Sequence, residues 1–158
     1  MKLLAGIAVA QYTLFSISTY KMAKYLCMRF PLLSFVPIVN LIYFCFVSDT
    51  VSVEAKSSGY SYSGLFMIAA IIVITLGIIL LKGFHYDITL IMGRILLFVG
   101  IAEAFITLSF SFMSVLVETM RFPALCILAS FVVTPPVFML IASFKLPSVM
   151  EEVIELYY

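Results

Sequence analysis

The chain has 158 residues, of which 65% are hydrophobic and 11% are charged, and its formal net charge is +1. A soluble domain has about a quarter of its residues charged and about half apolar, so this composition excludes an ordinary water-soluble domain and favours a membrane protein. The nearly balanced charge offers no basic surface, so we expect no nucleic-acid partner.

Apolar runs long enough to cross a bilayer follow one another along the chain. A membrane helix needs about 20 residues, and continuous runs are typical of helices because the strands of a membrane barrel are short and alternating. We therefore predict an all-α, polytopic membrane protein with a single membrane domain over residues 1–158. The five predicted spans are roughly residues 3–20, 30–48, 62–81, 88–118 and 122–144.

The first predicted span begins almost at the N-terminus. The run LLAGIAVA after Lys2, with Ala8-Val9-Ala10 as a cleavage site, is typical of a short signal peptide. The apolar run continues to Tyr20, however. We therefore predict a retained span.

The positions of lysine and arginine predict an orientation, because these residues are enriched in cytoplasmic loops. A basic cluster follows the first span, so we place that loop inside, the connection at residues 49–64 outside, the N-terminus outside and the C-terminus inside. This arrangement puts five basic residues inside (Lys21, Lys24, Arg29, Lys82, Lys145) and three outside (Lys2, Lys56, Arg121).

Two prolines and one carboxamide mark the second predicted span. Pro31 suits the first turn of a helix, where a missing N–H costs nothing. Pro37 lies inside the span and predicts a kink, since it removes a backbone hydrogen bond. Asn40 follows about one turn later and is expected to hydrogen-bond to a neighbouring helix, with a polar functional site as the alternative.

Ala23-Lys24 followed by Phe35-Val36-Pro37-Ile38-Val39-Asn40-Leu41-Ile42-Tyr43 resembles a pattern in small uncharacterised bacterial multi-pass membrane proteins. Those proteins carry a lysine-containing juxtamembrane segment and then a second span of the F-[IV]-P-x-x-N-x-Y type. The tryptophan often found before the proline is missing here. The resemblance implies a multi-pass protein of a bacterial cytoplasmic membrane and implies no activity.

The fourth predicted span carries a stripe of small and polar residues. At 100° per residue, one face of the helix carries Gly100, Glu103, Thr107, Ser111, Ser114 and Glu118. Lipid offers such groups no hydrogen bonds, so this face is expected to contact protein or water.

Glu103 is the main candidate functional residue, because an ionised carboxylate within a span costs about 2.5–3.5 kcal/mol on insertion scales. Arg94 lies on the opposite face and is expected to snorkel outward. Glu103 must therefore find another partner, such as Asn40, Tyr43 or another subunit. It is either a proton or cation site or a protonated residue that fastens helices together.

The last span and the tail carry further prolines. Pro135 and Pro136 lie within the fifth predicted span and favour a fixed kink, with a gate as the alternative. Ser148 and Glu151 match a capping box and predict a separate amphipathic tail helix at residues 147–158. Its acidic character favours docking on protein over anionic lipid, and a frayed terminus is the alternative.

Sequence motifs for catalysis, metals and cofactors are missing. The three cysteines lack a C-x-x-C pair, which predicts neither a metal site nor a disulfide framework. His85-Tyr86-Asp87 has no nucleophile beside it in the sequence, and no phosphate-binding loop is present. We expect no catalytic residues, no metal, no cofactor and no enzymatic activity.

Two functions remain open from the sequence. The first is a small membrane subunit or assembly partner that packs against other membrane proteins, in a hetero- or homo-oligomer, through its polar helix faces. The alternative is a small ion, proton or solute transporter, or a channel-forming oligomer, that uses Glu103. Co-purification with a stoichiometric partner and instability alone would favour the first, and a symmetric oligomer or a polar cavity that reaches Glu103 would favour the second.

Overall fold

The structure, a computed structural model, describes residues 2–54, 62–83, 87–120 and 135–157. Within these ranges the chain is all-α, as predicted, with no strand. The helices are α1 (Lys2–Tyr25), α2 (Val39–Glu54), α3 (Ser63–Gly83), α4 (Asp87–Met120) and α5 (Pro135–Tyr157), and a 3-10 helix covers Pro31–Phe35.

Helices α3 and α4 are long and apolar enough to cross a membrane. They correspond to the predicted spans 62–81 and 88–118 within a few residues. No other helix in the described ranges meets this measure of length and composition. The five-span architecture therefore stays a prediction.

Small residues allow α3 and α4 to pack closely as an antiparallel hairpin. A Cβ atom added to Gly100 would lie 3.0 Å from the backbone nitrogen of Ile74 and 3.2 Å from the carbonyl oxygen of Ala70. One added to Gly77 would lie 3.1 Å from the carbonyl oxygen of Gly93. Because backbone atoms stand at these distances, larger residues would push the two helices apart.

The second half of α4 packs in a bundle with α1, α2 and α5. The ring centroid of Phe44 lies 5.1 Å from that of Phe15 and 4.8 Å from that of Phe112. Such aromatic pairs add about 0.5–1.5 kcal/mol each beyond their buried area. Met139 and Leu146 of α5 are also fully buried in this core. Helix α4 thus belongs both to the hairpin and to the bundle.

Residues 26–38 fold back along α1. Cys27 and Phe30 have left-handed φ values of 53° and 57°, which redirect the chain after α1. Pro31 occupies the first turn of the 3-10 helix, as its position predicted. The Tyr12 hydroxyl donates to the Phe35 carbonyl at 3.0 Å, so the returning segment lies beside α1.

This fold-back corrects the predicted second span at residues 30–48. Pro37 does not kink a helix, because it lies in a turn and α2 begins only at Val39. A proline disfavours helical backbone in the residue before it, and Val36 is accordingly extended. The 3-10 helix therefore ends there, and α2 starts with a new direction.

The end of α1 and the beginning of α3 lie on the same side of the molecule. Met28 Sδ is 4.0 Å from Thr50 Oγ1, and the adjacent Asp49 accepts a hydrogen bond from the Ser63 backbone N–H at 3.1 Å. The sequence had placed Lys24 and the connection at 49–64 on opposite sides of a membrane about 30 Å thick. The contacts disagree with that separation, and the orientation in a membrane stays a prediction.

Helix α5 lies parallel to α1. Lys21 Nζ lies 2.9 Å from the ring centroid of Phe144, a cation–π contact. The Tyr25 hydroxyl lies 3.5 Å from the Pro147 carbonyl oxygen. The residue numbers of α1 and α5 therefore increase toward the same end of the bundle, so the two helices run in the same direction.

Helix α5 also corrects the predicted separate tail helix at 147–158. The helix continues through Pro147 to Tyr157, and Ser148 Oγ donates to the Lys145 carbonyl at 2.8 Å instead of capping a new helix. The predicted kink at Pro135 and Pro136 involves residues 121–134, which lie outside the described residues. The described helix begins at Pro135.

Candidate functional site

A cavity of about 500 Å³ lies between α3 and α4 beside Glu103. Helix α3 contributes Ser63 and Phe66, and α4 contributes a longer stretch that includes Phe98, Thr107 and Phe110. Of the described lining residues, only Ser63, Thr107 and Glu103 have polar side chains. The cavity is an apolar cleft with one ionisable group.

Glu103 is half-buried and makes no hydrogen bond or ion pair with the rest of the described chain. It lies in the middle of α4, and the cavity extends from there to Ser63 and Phe66, which belong to the first turn of α3. Because Gly100 packs against Ala70 and Ile74, Glu103 itself lies level with the first half of α3.

The partners that the sequence suggested for Glu103 are engaged elsewhere. Asn40 is fully buried, and its Nδ2 donates to Ser16 Oγ at 3.1 Å. The Tyr43 hydroxyl donates to the Arg29 carbonyl at 2.8 Å. Both residues serve contacts among α1, α2 and the fold-back segment. The prediction that Asn40 bonds to a neighbouring helix agrees with its contact to α1.

The Asn40 amide is only partly satisfied. Its Oδ1 is buried and has no hydrogen-bond partner among the described residues. A buried polar atom left without a partner costs about 1–3 kcal/mol. This cost is local to the α1–α2 contact.

The polar stripe on α4 faces protein, as its composition predicted. Thr107 and Ser111 are buried, and Ser48 Oγ of α2 donates to the Ser111 carbonyl at 3.1 Å. The hydroxyl oxygens of Ser52 and Ser114 are 2.5 Å apart. Ser111 and Ser114 therefore join α4 to α2, whereas Glu103 and Thr107 line the cavity.

Arg94 is exposed on the hairpin, which agrees with its expected outward position. It is not among the residues that line the Glu103 cavity. The two side chains lie nine residues apart on opposite faces of one helix, which accounts for this separation. Arg94 therefore does not neutralise Glu103.

Asp49 bonds to Ser63 at the edge of the cavity, a role that was not predicted from the sequence. Its carboxylate accepts hydrogen bonds from the backbone N–H groups of Ser63 at 3.1 Å and Gly64 at 3.0 Å. Ser63 Oγ also donates to it at 2.5 Å. The first N–H groups of a helix lack partners within the helix, so Asp49 of α2 caps α3 and positions Ser63.

The arrangement around Glu103 suits the binding of one positive charge in apolar surroundings. Among the residues that the structure describes, no group of three histidine, cysteine or acidic side chains is placed to hold a metal ion. Asp87 begins α4, whereas His85 and Tyr86 lie outside the described residues. The chemistry available at the cavity is electrostatic attraction and aromatic contact.

Only a weak sequence indication existed for Asp49, namely an acidic residue just after a long apolar run and a Ser-Gly pair before the next one.

Comparison with protein-family models, with curated proteins and with solved structures gives no match for this chain.

Proposed function

We propose that this protein is an integral membrane protein, inserted through the α3–α4 hairpin, that binds a cation at Glu103. The observation that carries the proposal is the carboxylate itself, which borders a cavity and has no partner in the described chain. Charged residues within membrane helices commonly mark ion and substrate pathways. We therefore place the protein among small transporters of ions, protons or solutes.

The polar groups that suggested a partner subunit now support that function less. Asn40 is bonded to Ser16, and Ser111 and Ser114 are bonded to α2. These contacts lie within one chain. Because these bonds use part of the polar face within the chain itself, that face gives less reason to expect a second protein.

A subunit or assembly partner of a larger membrane complex remains the second candidate. It is favoured by the position of the cavity, whose described walls come from two helices, because a groove between two helices has an open third side. A lysine or arginine of a partner helix placed there would neutralise Glu103. The outward residues of the hairpin, such as Ile72 and Ile79, are apolar and exposed and would contact lipid or that partner.

The contacts also support a revised orientation. If the end that carries Lys24 and Arg29 is cytoplasmic, then α3 begins inside and Lys82 at its other end lies outside. By sequence position Lys56 and Arg121 join the inside set, which gives six basic residues inside and two outside, leaving out Arg94. This distribution follows the positive-inside rule better than the five-to-three distribution of five alternating spans.

The test is cation-dependent stabilisation of the purified protein, since a ligand that binds only the folded state raises the midpoint of thermal unfolding. Sodium, potassium and tetraphenylphosphonium salts are compared with the wild type, Glu103→Gln and Glu118→Gln. We expect at least one cation to stabilise the wild type and Glu118→Gln but not Glu103→Gln. If no cation acts through Glu103, the proposed function is wrong.

The subunit candidate makes a different prediction in the same material. A partner that pairs with Glu103 should accompany the wild-type chain in native mass spectrometry at a fixed ratio and be lost from Glu103→Gln. Retention of such a partner, together with no cation effect, would favour the subunit.

A further inference from the structure

We infer that the ligand of the α3–α4 cavity is an organic cation, an ammonium or phosphonium centre that carries apolar groups. This inference rests on the proposed function, since it names the class of cation bound at Glu103. It follows from three properties of the cavity: its size, its shortage of oxygen ligands and its aromatic walls.

The size of the cavity exceeds what an inorganic ion fills. Its volume is about 500 Å³, within the range of about 300–1,000 Å³ that is typical of sites for small organic molecules. Apolar side chains form most of its wall. An occupant with an apolar body would bury that wall, whereas a hydrated ion would leave it wet.

Few oxygen atoms are available to replace the water around a metal ion. Hard divalent ions take about six to eight oxygen ligands, and the cavity offers the Glu103 carboxylate and the hydroxyls of Ser63 and Thr107. The Ser63 hydroxyl is already donated to Asp49 at 2.5 Å. An organic cation has no such requirement, because its charge is spread over a centre covered by carbon.

Aromatic rings provide the remaining contact. Phe66, Phe98 and Phe110 line the cavity together with Glu103. Aromatic faces attract organic ammonium groups, and this contact is the usual basis of quaternary ammonium recognition. One carboxylate with several rings matches a cation of this class better than a proton, which would need no cavity.

Two sources could supply this chemistry: a cation free in solution and the ammonium headgroup of a lipid. The cavity extends from Glu103 to Ser63 in the first turn of α3, so a headgroup at the membrane surface has access to its mouth if α3 crosses the bilayer. The shared chemistry is the substituted ammonium. The source is a separate question that competition experiments resolve.

The experiment measures equilibrium binding of radiolabelled tetraphenylphosphonium to the full chain in a neutral maltoside detergent. Tetraphenylborate, an anion of the same shape, is the ligand control. We expect Glu103→Gln to lower phosphonium affinity by about tenfold or more, because a charge pair at contact distance is lost. Glu118→Gln, on the same helix but outside the lining residues, should bind as the wild type does.

The aromatic walls are tested with a matched pair of substitutions on α4. Phe98→Leu removes a ring at the cavity and should lower affinity by about two- to fivefold. Phe105→Leu removes an exposed ring that does not line the cavity and should change nothing. Equal effects of the two variants would overturn the role of the aromatic walls.

Competition identifies the source. Displacement of the phosphonium ion by short-chain phosphatidylethanolamine, but not by phosphatidylglycerol, supports the inference and assigns a lipid headgroup. Displacement by neither lipid, with Glu103-dependent binding intact, supports it and assigns a free cation. Binding that is unaffected by Glu103→Gln, or equal binding of tetraphenylborate, overturns it.

Failure of this inference is distinguishable from failure of the proposed function. If sodium or potassium stabilises the protein through Glu103 while the phosphonium ion does not bind, the cation-binding function stands and the organic class is wrong. If no cation of either class depends on Glu103, both fail together.

Discussion

The carboxylate of Asp49 on α2 accepts the backbone N–H of Ser63, the first residue of α3, at 3.1 Å. Ser63 in turn lines the cavity that contains Glu103. One side chain of the bundle therefore fixes the position where the hairpin begins and where the cavity ends. A negative charge at a helix N-terminus is also favoured by the helix dipole.

Asp49→Ala should destabilise the protein by about 1–3 kcal/mol, because a helix cap is lost and buried N–H groups are left without an acceptor. Thermal or denaturant unfolding in detergent measures the change. Glu54→Ala, at the exposed end of the same helix, is the control and should stay within about 0.5 kcal/mol of the wild type. Equal effects would mean that the cap has no energetic importance.

Gly77→Ala and Gly100→Ala should destabilise the hairpin by about 1–3 kcal/mol, because the added methyl group meets backbone atoms of the facing helix at 3.0 Å in each case. The control is Gly6→Ala in α1, where nothing lies within 4 Å of the new Cβ. That change should stabilise, since alanine is a better helix former than glycine. Unfolding in detergent measures these changes in stability. Stabilisation by all three substitutions would contradict the close packing of α3 and α4.

The structure predicts which positions share one side of the membrane. In a background free of cysteine, single cysteines at Lys24, Tyr62 and Ser148 should react with an impermeant thiol reagent only after cells are permeabilised. A cysteine at Lys82 should react in intact cells, because α3 is 21 residues long and carries it about 30 Å away. Labelling of Tyr62 and Lys24 from opposite sides would contradict the fold-back of residues 26–38.

The two long apolar helices could be predicted from the sequence because their defining property is local. An uncharged run of suitable length specifies a span without reference to the rest of the chain, and α3 and α4 match the predicted boundaries within a few residues. The stripe on α4 was equally visible, since helical periodicity alone places Thr107 and Ser111 on one face.

The fold-back and the cap could not be predicted because they depend on contacts between distant residues. The left-handed conformation of Phe30 is not indicated by its residue type, since phenylalanine rarely adopts it. Pro37 was compatible with a kinked helix or with a turn, and Tyr12, 23 residues from Phe35, helps to select the turn. The role of Asp49 likewise depends on where α3 begins.

Ser48→Ala should weaken the α2–α4 contact by about 0.6 kcal/mol and by no more than about 1.7 kcal/mol, the range for hydrogen bonds between membrane helices. The bond lost is the one from Ser48 Oγ to the Ser111 carbonyl. Ser109→Ala is the control, because its hydroxyl bonds to Phe105 of its own helix. Unfolding in detergent compares the stabilities of the two variants. A larger loss of stability from Ser109→Ala would contradict the assigned hydrogen bond between α2 and α4.

Glu103→Leu separates a ligand site from a helix fastener by the sign of its effect on stability. A carboxylate kept for binding in an apolar cleft costs free energy in the absence of its ligand, so leucine should stabilise the ligand-free protein by about 1 kcal/mol. If the carboxylate instead fastens helices, its substitution should lower the free energy of unfolding by about 0.6–1.7 kcal/mol. Unfolding in detergent without added organic cation measures the difference, and Glu103→Gln should fall between the wild type and leucine. A destabilised leucine variant would show that Glu103 holds helices together and would remove the stability argument for a binding site.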